Sequence, residues 1–252
     1  MKMERIILCD NGKIEEISKL CKKYSLGVNI DSYYRPDYLE KNPNSIEQHL
    51  RVYNDIEICS IHGPYFDLNY GSNDNLIKEV TKKRFEYAYS ISSKINCRSI
   101  ILHNGYVPGT SFPSNWIKRA KSFWDEFLEN KDEEIVFYIE NLLEHDPGMI
   151  IELINSVNKK NLKMCFDIGH ANVYSKIKVT EWVKKVNANI RFVHLHNNNG
   201  ETDEHNGISN GTLNVKEVCE YLEEYSPKAT WAIETIEYEK SIEWLKENKF
   251  LE

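Results

Sequence analysis

The chain alternates between two hydrophobic periods. Short runs rich in β-branched and aromatic residues recur as RIILCD, LGVNID, EICSIHG, CRSIILHNG, EIVFYIEN, LKMCFDIGH, IRFVHLHN and TWAIET. Between them, apolar residues return three and four apart with Lys and Glu opposite, as in KIEEISKLCKKY, LIKEVTKKRFEYAYSISSKI, WIKRAKSFWDEFLEN, PGMIIELINSV, VTEWVKKV, VKEVCEYLEEY and SIEWLKENKF. The first pattern is that of buried strands and the second that of amphipathic helices. Start signals agree. Asp74 precedes one helical segment and Asp146-Pro147 opens another, proline being tolerated in a first helical turn. Strand and helix alternate about eight times with no linker or low-complexity block. This predicts an α/β chain folded as one domain over residues 1–252, a single (β/α)8 barrel, because parallel strands need helical crossovers. A doubly wound open sheet fits less well, since no GxGxxG turn follows the first strand.

Composition narrows the function classes. Hydrophobic residues make up 41% of the chain, enough for one large core. The net charge of −7 lacks the basic footprint of nucleic-acid binding, although it describes the average surface and not a local groove. Cys9, Cys21, Cys59, Cys97, Cys165 and Cys219 are scattered without a CxxC pair and read as reduced, mostly buried thiols. The apolar run in MKMERIILCDNG is too short for a signal-peptide core, and no run of membrane-spanning length follows. The expectation is a cytoplasmic protein.

The chemistry sits at the strand ends. Strand three ends at His62, strand four at His103, strand five at Glu140 and strand six at Asp167, with His170 just beyond. Strand seven ends at His194, its loop carries His196, Asp203 and His205, and strand eight ends at Glu234. In a barrel these ends ring one mouth, where active sites lie. Alternation fits: with Glu140 inward, Phe137 and Ile139 face the helices, and with Asp167 inward so do Phe166 and Ile168. Each residue taken singly has an ordinary role. A strand-end histidine is usually a hydrogen-bonded polar group, Asp167 can cap a turn, and a glutamate can pair with a rim lysine. Taken together, buried carboxylates and imidazoles need a compensating positive charge, and no Lys or Arg falls at these ends. A divalent metal supplies it. Nitrogen and oxygen ligands without thiolate suit Zn, Mn, Co or Fe(II).

The set SIHGPY, ILHNG, YIEN, DIGH, VHLH, DEH and IET resembles the xylose-isomerase-like TIM-barrel superfamily, which holds sugar isomerases and epimerases and the endonuclease-IV-type apurinic endonucleases. The resemblance spans nearly the whole chain. It implies a metal quartet of Glu140, Asp167, His194 and Glu234. In the endonuclease branch it implies a trinuclear zinc site, with His62 and His103 joining Glu140 and with His170, Asp203 and His205 holding a third ion. One to three ions are therefore expected. After DEH the sequence departs from the endonucleases: Ser209 and Asn210 stand where Gly and Glu would be. His196 matches no ligand position in either branch.

Two chemistries follow. In the first, a sugar or other polyol is isomerised or epimerised by proton transfer through an enediolate, with Glu140 and Glu234 as the proton-transfer pair. Tyr65, His62, His103, His196 and His205 would then contact substrate, with Tyr106 and Trp116 as further candidates for a sugar-facing wall. In the second, the site hydrolyses a phosphodiester at abasic DNA, or a small phosphoester, with several metals. The acidic surface disfavours DNA. A third reading, a barrel that only binds a ligand, is disfavoured because both glutamates are present. The expected partner is a small-molecule polyol or sugar and no membrane, with nucleic acid disfavoured by charge but kept open by the second chemistry.

Overall fold

The structure, a computed structural model, describes residues 5–252. Eight parallel strands close into a barrel in chain order: β1 (Ile6–Cys9), β2 (Gly27–Ile30), β3 (Ile58–His62), β4 (Ser99–His103), β5 (Val136–Glu140), β6 (Leu162–Asp167), β7 (Ile190–Leu195) and β8 (Thr230–Ile233). The ring is sealed where Ile6, Ile7 and Leu8 of β1 pair with Trp231, Ala232 and Ile233 of β8. The helices are α1 (Ile14–Tyr24), α2 (Tyr38–Lys41), α3 (Ser45–Val52), α4 (Asn75–Lys94), α5 (Pro113–Leu128), α6 (Gly148–Val157), α7 (Ile168–Tyr174), α8 (Val179–Val186), α9 (Val215–Tyr225) and α10 (Tyr238–Glu247).

Strand alternation sorts side chains as the pattern predicts. Ile7, Cys9, Ile101, Cys165, Phe192 and Ala232, with Cys59 and Tyr138 against them, fill the interior as a dry plug beneath the mouth. Their sequence neighbours, including Phe137, Ile139, Phe166, Val193 and Leu195, belong to the larger core between sheet and helices. Trp124 and Phe127 of α5 pack on Phe85 of α4 and on Phe137, which anchors those two helices to the β4–β5 wall.

Local chemistry ends the elements where the site needs them. Asp74 accepts a hydrogen bond from the Leu76 amide and starts α4. Asp167 does the same for His170, so the last residue of β6 is also the N-cap of α7. Two boundaries and three helices differ from the sequence pattern. β7 runs one residue past His194 to Leu195, Glu234 lies one residue beyond β8, and the pattern does not mark α2, α3 and α7. α2 and α7 have four and seven residues, too short for a 3.6-residue period to repeat visibly. The six cysteines are unpaired thiols. Among the described residues, no helix is long and apolar enough to cross a membrane.

Candidate active site at the barrel mouth

Strand register places the polar ends side by side: His103 pairs with Glu140 across β4–β5, and Asp167 with His194 across β6–β7. Glu140 stands at the centre. Its Oε2 lies 3.1 Å from His62 Nε2 and 3.4 Å from His103 Nε2. Its Oε1 lies 2.9 Å from His194 Nδ1 and 3.7 Å from His170 Nδ1. The same His194 Nδ1 is 3.1 Å from Glu234 Oε2 and 3.7 Å from Asp167 Oδ2. The four residues Glu140, Asp167, His194 and Glu234 thus come together, from four different strand ends.

A second cluster comes from the loop after β7. Asn197 and Asn206 exchange backbone hydrogen bonds of 3.1 and 2.8 Å, closing the base of the loop. Asn199 Oδ1 accepts the amides of Glu201 and Thr202, and Asn198 Oδ1 accepts that of Gly200. The asparagine run therefore satisfies the loop's own backbone. The chain returns Asp203 and His205 to the mouth, where Asp203 Oδ2 lies 2.9 Å from His205 Nε2 and 3.2 Å from His170 Nε2. His205 adopts a left-handed backbone (φ 52°), which a non-glycine residue holds only when its surroundings fix it.

Burial and mutual charge set the electrostatics. Burial opposes ionisation of Glu140, but His194 and His103 hold its carboxyl well below the usual range. Burial likewise opposes ionisation of Asp167, which His170 and His196 outweigh. Burial disfavours charge on His194 and His170, yet their anionic neighbours push both well above the ordinary imidazole value, and His205 is raised to about 10 against the same penalty, chiefly by Glu234 and Asp203. His103, buried with other histidines around it, is lowered to about 3.

These residues fit a divalent cation. A single His194 Nδ1 offers at most one hydrogen, yet two carboxylate oxygens lie within 3.1 Å of it. His194 Nε2, His103 Nδ1, His196 Nδ1 and Asp203 Oδ1 are buried without a hydrogen-bond partner. Ligand atoms of His62, His103 and Glu140 lie within 4.8 Å of one another, as do those of His170, Asp203 and His205. The central four offer oxygen and nitrogen, the donor set of Zn, Mn, Co or Fe(II).

The cavity above the clusters has a volume of ≈ 570 Å³. His62, His103, Glu140, His170, Asp203, His205 and Glu234 form its floor. Tyr65 lines it, stacked face to face on His103 at 3.9 Å, with Tyr34 stacked behind at 5.6 Å. Tyr106 and Trp116 do not line it. They pack on each other, and Trp116 also packs on Tyr70, with Trp116 Nε1 donating to Asn69. His196 also lies outside the lining: it is 0% exposed and faces Asp167. Sequence reasoning passed over Asp31, which sits just beyond β2 on the cavity wall, with its carboxylate held by the Asn11 amide and by Asn29 Nδ2. Burial, then the Asp10 and Glu234 charges, raise the Asp31 carboxyl well above its usual value. The signal was there, because LGVNID ends in an acid just as the other strands end in His, Asp or Glu. Lys13, in the loop after β1, also reaches the cavity wall.

A closed parallel barrel with a histidine–carboxylate mouth defines the class of protein. The family description "xylose isomerase-like TIM barrel" matches residues 25–248, and the chain belongs to that family. It is 30% identical over 195 residues to protein MJ1311 of Methanocaldococcus jannaschii, a match covering 73% of this chain and 66% of that protein, just under two thirds of its length. Among solved structures it resembles a D-tagatose 3-epimerase-like protein, with 25% identity, a TM-score of 0.80 and 97% of each chain covered. It also shares its fold with the TTHB071 protein from Thermus thermophilus, a structure soaked with ZnCl2, at 19% identity and a TM-score of 0.75 over 97% of each chain.

Proposed function

We propose that the protein is a divalent-metal-dependent sugar isomerase or epimerase that moves a proton at the carbon beside a carbonyl. One observation carries this reading: Glu140 of β5 and Glu234 just beyond β8 converge on one histidine nitrogen at 2.9 and 3.1 Å, beneath an open cavity. Epimerisation needs a base on one face of a carbon and an acid on the other. Two carboxylates brought this close from different strand ends would supply that pair. The likeness to a D-tagatose 3-epimerase-like protein supports the same substrate class.

Glu140, Asp167, His194 and Glu234 would hold the metal, which supplies Lewis acidity toward a carbonyl oxygen and its neighbouring hydroxyl. One of Glu140 and Glu234 takes the proton from carbon, and the other returns a proton to the opposite face. His62, His103 and His205 stand on the cavity floor within reach of substrate hydroxyls, and Tyr65, its two faces taken by His103 and Tyr34, presents its edge to the cavity. The test is incubation of metal-loaded protein in D2O with a panel of ketohexoses, ketopentoses and inososes, followed by NMR. Deuterium at one carbon together with the new epimer is expected. Absence of exchange across the panel, with cleavage of an abasic-site duplex instead, overturns the reading.

One observation favours a second reading. The His62–His103–Glu140 and His170–Asp203–His205 groups are both assembled, so the mouth has the donors of a multinuclear phosphoester hydrolase. The duplex arm of the same experiment addresses it.

Metal binding should also release protons. Against burial, anionic neighbours raise the proton affinity of His170, His194 and His205 above that of a free imidazole, whereas a metal ligand must give its proton up. Calorimetric Zn²⁺ titrations at pH 7 in buffers of different ionisation enthalpy should report release of more than a single proton per chain. Identical heats in all buffers would contradict the assignment.

A further inference from the structure

His196 lies among the mouth residues but not on the cavity. Its Nε2 lies 3.0 and 3.1 Å from the two oxygens of Asp167. A carboxylate only accepts, so this nitrogen carries the hydrogen and donates. The ring lies flat against His205, with centroids 4.2 Å apart and planes 5° from parallel. A histidine lone pair points along its own ring plane, so two rings stacked in this way cannot aim at one ion. His196 therefore does not share a metal with His205, although their nitrogens are close. The ring also abuts Gly169, where even a Cβ would collide with it. The glycine of the DIGH turn makes the room that this imidazole occupies.

We propose that His196 is a positioning residue that couples the two clusters: its Nε2–H fixes both oxygens of Asp167, while its ring face seats His205. One side chain then orients a carboxylate of the central group and an imidazole of the loop group. The proposal rests on the metal-binding reading above, because it concerns how those ligands are held. Hydrogen bonds behind metal ligands typically change metal affinity by about 10–100-fold.

Three variants separate the roles. His196→Phe keeps a flat ring against His205 and removes the donor. His196→Gln keeps an N–H donor and removes the ring. Gly169→Ala leaves the imidazole but displaces it. Co²⁺ is titrated into each metal-free protein against a competing chelator, with the visible absorption spectrum recorded and folding checked by circular dichroism. His196→Phe and Gly169→Ala are expected to weaken the tighter Co²⁺ site by about 10–100-fold and to shift its absorption bands, while His196→Gln recovers most of the affinity. Should His196→Phe fail to fold, Gly169→Ala against His196→Gln carries the same comparison. Wild-type affinity and spectrum in the folded donor-less or displaced variants overturn the role of His196 and leave the metal reading standing. Failure of the wild-type protein to bind Co²⁺ overturns both.

Discussion

Replacing Glu234 with Gln is expected to lower turnover by about 10³-fold or more while the barrel stays folded. Loss of a general acid or base removes about 10²–10⁴-fold, and here the same change removes a proposed metal ligand. Gln is nearly the same size but can neither carry the charge nor accept the proton. The fold should tolerate it, because the Glu234 side chain retains 13% exposure at the cavity edge and water can solvate what replaces it. Glu140→Gln should cost as much activity and, in addition, stability. Glu140 is 1% exposed, and its two oxygens serve His62, His103 and His194. Removing its charge takes the carboxylate partner from buried His62 and one of several from His194, a class of change that costs about 3–5 kcal/mol when one partner of a buried pair is lost. The measurements are epimer formation by NMR, metal content and thermal melting. Full turnover in Glu234→Gln would sink the assignment of the proton-transfer pair. Equal melting temperatures for the two variants would show that Glu140 is not the electrostatic centre of the mouth.

The same asymmetry explains what could be read from the sequence. His62, His103, Glu140 and Asp167 close strands whose alternation is unambiguous, so position and direction followed together. The barrel itself followed from the eight alternations, because a period of two and a period of 3.6 are separable over runs of this length. Tyr106 and Trp116 could not be assigned by period. An aromatic near a strand end can face the mouth or the neighbouring helices, and only the packing of α5 on Tyr70 decides it. His196 shares the alternation of His194, yet one step farther along the chain it has left β7 and turned behind Asp167. Asp31 was legible by the rule that exposed the other strand ends. It was passed over because no second ionisable group in its own segment marked it, its Coulombic neighbours Asp10 and Glu234 lying elsewhere in the chain.

The second large effect concerns the metal itself. The mouth carboxylates Glu140, Asp167 and Asp203 already have histidines as electrostatic partners, so the fold should not depend on the ion, whereas the proposed proton transfer does. Chelation should therefore abolish turnover reversibly without unfolding the protein, and reloading should raise the melting temperature. A ligand at a thousand times its dissociation constant stabilises by about 4 kcal/mol. In a chain of this size each kcal/mol moves the midpoint by about 2–4 °C, which gives an expected rise of about 10 °C. The rise should shrink as pH falls. His205, raised to about 10, and His170 and His194, raised in the same direction, bind protons more fully at lower pH and compete with the metal for the same nitrogens. Differential scanning calorimetry with Zn²⁺, Mn²⁺ and Co²⁺ between pH 6 and pH 8 tests both statements. A midpoint that none of these ions moves, or a rise that grows on acidification, would mean that the histidine–carboxylate mouth is a self-compensated polar network and not a metal site.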